Sequence, residues 1–263
     1  MAPIEGSVAL VTGANRGLGR RFVEELLARG AAKVYAAARN PDSITTPGVV
    51  PIRLDVTDPA QIAAAAEATG DVDLLINNAG SSTGASVLTG DLDDIRLEME
   101  THYFGPLRLV RAFAPQLSRE RPDHAGGGDT HGPHARHGAV LNVLSVLSWL
   151  AMPTSGAYCA AKAAAWSLTN SQRVELAGAG VTVTALHVGF MDTDMTRRID
   201  APKVDPAAVA ALALDAVAAG APEVLADTPS VQVRAALAGG LGALYPGLAE
   251  HYGTLEAMLP RTD

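Results

Sequence analysis

Cysteine is nearly missing from this chain. Cys159 stands alone, so no intrachain disulfide can form, which fits a reducing compartment such as the cytoplasm. Aromatic residues are scarce at 4%, while alanine and glycine are plentiful, a composition suited to close packing of helices on a sheet. Positive charge is not in excess. The formal net charge of -8 argues against non-specific binding to nucleic acid or to an anionic membrane, although a local basic site for a phosphorylated ligand remains compatible with it. No uninterrupted apolar run is long enough to span a bilayer. The first residues, MAPIEGSVALVTG, lack a basic region followed by an apolar stretch, so no signal peptide is expected. What is abundant is apolar sequence. At 263 residues and 48% hydrophobic, the chain can bury a sizeable core, and residues 1–263 are expected to form one domain.

Short apolar runs alternate with helical patterns. Ser7–Thr12, Lys33–Ala38, Val49–Val56, Asp73–Asn77, Ala139–Leu144, Thr182–His187 and Glu223–Ala226 read as strands. Between them, Gly17–Arg29 carries Leu18, Phe22 and Leu26 on one helical face, and Asp58 with Pro59 caps a helix through Thr69. Further helices are expected over Leu92–Leu117, with a break before Pro106 or Pro115, over Ala157–Leu176, and from Pro206 to Ala219. Alternation of strand and helix implies βαβ units and an α/β fold with a mostly parallel sheet. Residues 122–138, rich in glycine and histidine, read as a surface loop. The tail from Gly239 has no clear pattern.

Thr12–Gly19 (TGANRGLG) lies between the first strand and first helix. Its glycines Gly13, Gly17 and Gly19 permit a tight turn and close approach of a pyrophosphate to the backbone, with the following helix N-terminus facing the anion. The spacing Gly-x-x-x-Gly-x-Gly differs from the general dinucleotide fingerprint. About 20 residues beyond such glycines an NAD site places an acid on the ribose. Here the second strand ends Ala36-Ala37-Ala38-Arg39. Arg39, together with Arg16 inside the turn, would clamp a 2′-phosphate, and no carboxylate is there to repel it. The expected cofactor is therefore NADP(H).

Tyr158 and Lys162 stand four residues apart on one helical face, and Ser145 precedes them at a strand end, where parallel sheets present functional groups. Hydride addition to a carbonyl leaves an oxyanion that must gain a proton. A tyrosine ionising near pH 10 is a poor acid–base group at neutrality, and a neighbouring ammonium would lower that value. Ser145 would hydrogen-bond the substrate oxygen.

Taken together, Thr12–Gly19, Asp55, Asn77-Asn78-Ala79-Gly80, Ser145, Tyr158-x-x-x-Lys162 and Gly189 to Thr193 resemble the classical short-chain dehydrogenases/reductases. The resemblance implies that Gly13, Asn15, Arg16, Gly17, Leu18 and Gly19 form the cofactor turn. It puts Asp55 and the backbone of Val56 at the adenine, and Asn78, Ala79 and Gly80 along the cofactor. Lys162 would also hold the nicotinamide ribose, and Gly189 and Thr193 would frame the carboxamide end. A segment over about residues 190–205 would form the substrate side. The implied fold is a single Rossmann-like, doubly wound α/β domain, the implied substrate a small ketone, aldehyde or secondary alcohol, and the implied assembly a homodimer or homotetramer. Reduction of an imine or activated alkene, and a low-turnover NADP(H)-binding sensor, are the alternatives.

The sequence departs from the family pattern twice. Aligning Gly105 places His102 where the family carries an active-site asparagine, and Val188 replaces the usual proline before Gly189. His102 is expected to keep a polar role behind Lys162, and Val188 to loosen the turn over the nicotinamide. His124, His131, His134 and His137 lack the cysteine partners and ligand spacing of a metal site, so no metal is expected. Cys159 lies about 100° around the helix from Tyr158 and is expected to pack rather than react.

Overall fold

The computed structural model describes residues 4–120 and 137–248. The chain forms β1 (Val8–Thr12), α1 (Gly17–Ala28), β2 (Lys33–Ala38), β3 (Val50–Arg53), α2 (Pro59–Ala68) and β4 (Leu74–Asn77). It continues through α3 (Leu92–Met99), α4 (Gly105–Leu117), β5 (Ala139–Val143), α5 (Gly156–Leu176) and β6 (Thr182–His187). The last elements are α6 (Pro206–Ala219), β7 (Glu223–Leu225), α7 (Thr228–Ala236) and α8 (Gly240–Leu244).

The strands make one seven-stranded parallel sheet in the order β3-β2-β1-β4-β5-β6-β7, the doubly wound α/β architecture expected of the sequence. Successive strand residues point to opposite faces. Val11, Ile76 and Leu141 face α1 and α6, where Phe22, Leu26, Val209 and Leu214 are buried. Their neighbours Leu10, Leu75 and Val140 face α2 and α4, against Ile62, Leu109 and Phe113. Strand order reverses between β1 and β4. In such sheets the crevice beyond the strand ends at that reversal is where ligands bind.

Asp58 caps α2 by accepting from the amides of Ala60 and Gln61, and Asp205 caps α6 through Ala207. One element differs from expectation and another is sharpened. The third strand is shorter because it is the sheet's edge, paired to β2 only as far as Ala38↔Arg53. The long helix is interrupted before Pro106, one of the two expected places, by a π-helical segment over Glu100–Phe104, and it runs on through Pro115. Pro106 has no N–H for the ordinary i→i−4 bond. The amide of Gly105 donates instead to Glu100, one residue further back, which is the π pattern.

The tail folds back on the sheet. Asp227 caps α7 by accepting from Ser230 at 2.8 Å, and its other oxygen accepts from the Gly189 amide at 2.6 Å. The turn after β6 is therefore pinned despite Val188, which is itself buried. His124, His131 and His134, with most of the expected 122–138 loop, lie outside the described residues. Among the described residues no acidic, histidine or cysteine group could hold a metal, and no helix is long and apolar enough to cross a membrane.

Candidate active site

The glycine turn is a cradle that side chains would fill. Gly13 and Gly17 adopt left-handed backbone with φ of 64° and 53°, which favours glycine. A Cβ on Gly19 would lie 2.2 Å from the Gly13 carbonyl oxygen. The floor is clipped to the neighbouring strand. The Thr12 hydroxyl accepts from the amides of Asn78 and Ala79 at 2.9 and 3.0 Å, and Asn78 Nδ2 donates back to the Thr12 carbonyl at 2.8 Å. The first amides of α1 receive no side-chain cap, a fit for the pyrophosphate of a dinucleotide. Leu18 is buried beneath the turn, and Asn15 is part-exposed within it.

The two arginines are arranged differently from each other. Arg39 is exposed at the end of β2, with no acid beside it in sequence, whereas Arg16 pairs with Asp194 at 3.7 Å. Asp194 also pairs with Arg197, so the Arg16 contact joins the glycine turn to the 190–205 segment. A Cβ on Gly17 would lie 3.5 Å from Thr193, which places that residue beside the turn as well. Asp55 accepts from the Thr57 amide and hydroxyl at 3.0 and 2.7 Å. The Val56 carbonyl would be 2.9 Å from a Cβ on Gly105, so only glycine lets the long helix cross there.

Ser145, Tyr158 and Lys162 converge past the end of β5. Ser145 is buried and begins a short turn, its Oγ accepting from the Leu147 amide at 3.1 Å. With a lone pair so used, its hydroxyl hydrogen is free to donate, and a hydrogen bond to Tyr158 favours the tyrosine's ionised form. Lys162 is buried, and its Nζ donates to the Val143 carbonyl at 2.7 Å while lying 5.6 Å from the Tyr158 ring centre. Burial pulls the Lys162 ammonium down to about 8, against the supporting charge of Glu98.

Tyr158 corrects an expectation. Burial pushes its phenol well above the ordinary value, and the charge of Glu98 adds to the rise. Desolvation of the phenolate outweighs any help from Lys162, whose ammonium is engaged by Val143.

His102 also stands at this site, its ring edge-on to Tyr158 with centroids 5.1 Å apart. A Cβ on Gly80 would come within 3.0 Å of the imidazole, so that glycine makes room for it. Nε2 of His102 lies 3.2 Å from Glu98 and 3.0 Å from the Ser81 carbonyl. The Ser81 amide also donates toward Nε2, at 3.3 Å, so the roles of Nε2 in these contacts depend on the imidazole tautomer. Burial holds the imidazole below its ordinary value, and the Lys162 charge adds to this.

Glu98 was missed by sequence reasoning. Its carboxylate is wholly buried and accepts from Ser81 Oγ at 2.8 Å and from the Thr83 amide at 2.5 Å. Burial acts to raise it, but the hydrogen bonds from His102, Thr83 and Ser81 prevail and hold it at about 2. The signal available was its spacing from His102, four residues on one helix. Cys159 is buried, with its sulfur accepting from the Met152 amide, and packs as expected.

Residues 7–203 match the family model described as short chain dehydrogenase. The 3-oxoacyl-acyl-carrier-protein reductase of Escherichia coli is 32% identical over 206 residues, covering 74% of this chain and 78% of that protein. A short chain dehydrogenase of Burkholderia cenocepacia, solved in complex with NADP, is 40% identical with a TM-score of 0.78, covering 94% of this chain and 98% of that one. A short chain dehydrogenase/reductase of Burkholderia phymatum, solved in complex with NAD, is 26% identical with a TM-score of 0.75, covering 90% and 95%. With its parallel sheet, glycine cradle and converged serine, tyrosine and lysine, this chain belongs to the short-chain dehydrogenase family of oxidoreductases.

Proposed function

We propose that the protein reduces a ketone or aldehyde with NADPH, or oxidises the corresponding secondary alcohol with NADP+, using Tyr158 as the acid–base group. The observation that carries this reading is the convergence of Tyr158, Ser145 and Lys162 beside the glycine cradle. When bound, the dinucleotide supplies the hydride that reduces the carbonyl carbon. Tyr158 Oη gives its proton to the carbonyl oxygen, and Ser145 donates a hydrogen bond to that oxygen as charge develops on it. A phenol held above its ordinary value by burial stays protonated across the neutral range, so it carries the proton that reduction consumes, although as a weaker acid it releases that proton less readily. Lys162 and Thr193 would hold the nicotinamide end, with Gly189 in the pinned turn beside it. Asp55 and Val56 would meet the adenine, and Asn78, Ala79 and Gly80 would line the pyrophosphate and ribose.

The preference for the phosphorylated cofactor rests on Arg39 and on the missing acid at the end of β2, with Arg16 able to exchange Asp194 for a phosphate. The Burkholderia cenocepacia relative in complex with NADP is consistent with it. The test is consumption of NADPH and NADH over a carbonyl panel by wild type and Tyr158→Phe. NADPH should be the better donor, and Tyr158→Phe should lose about a hundredfold or more in kcat. Equal rates in the two proteins would remove Tyr158 from the mechanism.

A further inference from the structure

On the assumption that Tyr158 is the acid–base group, we propose that Glu98 is a positioning residue. Its buried carboxylate, anchored through His102, Ser81 and Thr83, is the counter-charge that keeps Tyr158 and Lys162 protonated and favours carbonyl reduction.

The geometry leads to this. Lys162 is buried at the centre of the site and donates to the backbone carbonyl of Val143 rather than to a carboxylate. A buried ammonium without a nearby negative charge tends to lose its proton. Glu98 is the wholly buried carboxylate on the adjoining helix, and α3 packs directly on α5. His102 stands between the two, in contact with Glu98 at 3.2 Å and edge-on to Tyr158. Because the imidazole resists charging, the carboxylate is not neutralised by a proton moving to His102. Its field therefore reaches the tyrosine and lysine through a poorly screening interior.

The groups around this carboxylate can be named. From α5 come Tyr158, Cys159 and Lys162, and from the segment after β4 come Ser81 and Thr83. His187 of β6 also faces Lys162, and it is neutral at ordinary pH. Glu98 is thus the negative charge that supports both Lys162 and the Tyr158 phenol. In reduction Tyr158 must hold a proton to give, so a neighbouring negative charge extends reduction to higher pH. In alcohol oxidation the phenolate is the base, and the same charge delays its formation.

The test compares kcat against pH in both directions for wild type, Glu98→Gln and Glu98→Asp, with Tyr158→Phe alongside. NADPH binding, read by fluorescence titration, verifies that each variant is folded and loads cofactor. In Glu98→Gln the alkaline fall of reduction and the rise of oxidation should both move to lower pH, by on the order of one pH unit. In Glu98→Asp, which retracts the charge by one methylene, both should move in the same direction but less. A matching displacement is expected in tyrosinate absorbance, taken as the difference from the same protein carrying Tyr158→Phe. Limbs that stay in place while rates fall uniformly would make Glu98 a structural residue and overturn the inference. This holds for whichever of the two variants folds. An active Tyr158→Phe would instead overturn the reading of Tyr158 itself, so the two failures are separable.

Discussion

Two buried histidines flank the Tyr158–Lys162 pair, and each faces a glutamate, yet they are built for different ends. On the α3 side, His102 meets a carboxylate that is itself wholly buried and held by Ser81 and Thr83. On the β6 side, His187 lies 3.4 Å from Glu223, which is a quarter exposed and bound to Arg234 at 3.0 Å. The geometry gives His187 Nε2 no hydrogen bond, while Nδ1 lies 3.2 Å from the Ser145 carbonyl. The His187 ring stacks on Trp149 at 3.7 Å and 17°, and the Arg234 guanidinium lies over the other ring system. A histidine beside a glutamate is therefore not one kind of device. Where the carboxylate is buried and fully donated to, its charge acts on neighbours. Where an arginine already neutralises it at the surface, the histidine serves as a flat, neutral filler that braces the serine strand end.

The largest expected effect would break the comparison on the β6 side. Trp149→Ala removes the ring against which His187 is stacked and should destabilise the fold by about 3–5 kcal/mol, read from urea unfolding. A loss below about 1 kcal/mol would mean that the stack is not structural.

The second sharpens it through pH. Burial holds His187 at about 4, below its ordinary 6.5, so the unfolded chain takes up a proton that the folded one refuses. The stability is therefore complete above 6.5 and is lost as pH falls toward 4. Between pH 7 and 5 this amounts to about 2 kcal/mol, and His187→Gln should flatten that slope. His102 shifts in the same direction and leaves a residual slope. Glu98 acts in a separate window, since its carboxyl is lowered from 4.5 and its contribution is lost only below that pH. Unchanged slopes in His187→Gln would show that His187 is charged in the folded protein.

The smallest effect concerns the other histidine. His102→Asn keeps a polar group near Ser81 but releases Glu98 from the imidazole. It should lower kcat about tenfold, near 1.4 kcal/mol, with little change in KM. An unchanged kcat would reduce His102 to a space-filling role.

Much of the fold was legible because buried parallel strands read as short apolar runs between turn residues. Lys33–Ala38 agrees at both ends, and Asp58-Pro59 and Asp205-Pro206 mark their helix starts. Ser145, Tyr158 and Lys162 were legible through spacing and order. Glu98 was not, because Asp93, Asp94, Glu98 and Glu100 together look like a solvated acidic face. Only packing against residues 81–83 buries one of the four. His187 was equally hidden, since the end of an apolar strand gives no hint of the indole that stacks on it. The helix interruption was legible from Pro106, but its π-helical form was not. The missing N–H of Pro106 is felt upstream of it, in the turn over Glu100–Phe104.

That wide turn has a mechanical consequence. Each residue of an ordinary helix advances by about 100° of rotation, so one residue absorbed without advancing the ladder re-phases everything beyond it. The upstream half aims Glu98 inward, and the downstream half aims Leu109, Val110, Phe113 and Leu117 at the sheet. A helix of constant pitch would tie those two aims together. Here the core stripe can keep its seat on the sheet while the other end of the same rod is indexed independently, like two gears on one shaft joined by a slipped tooth.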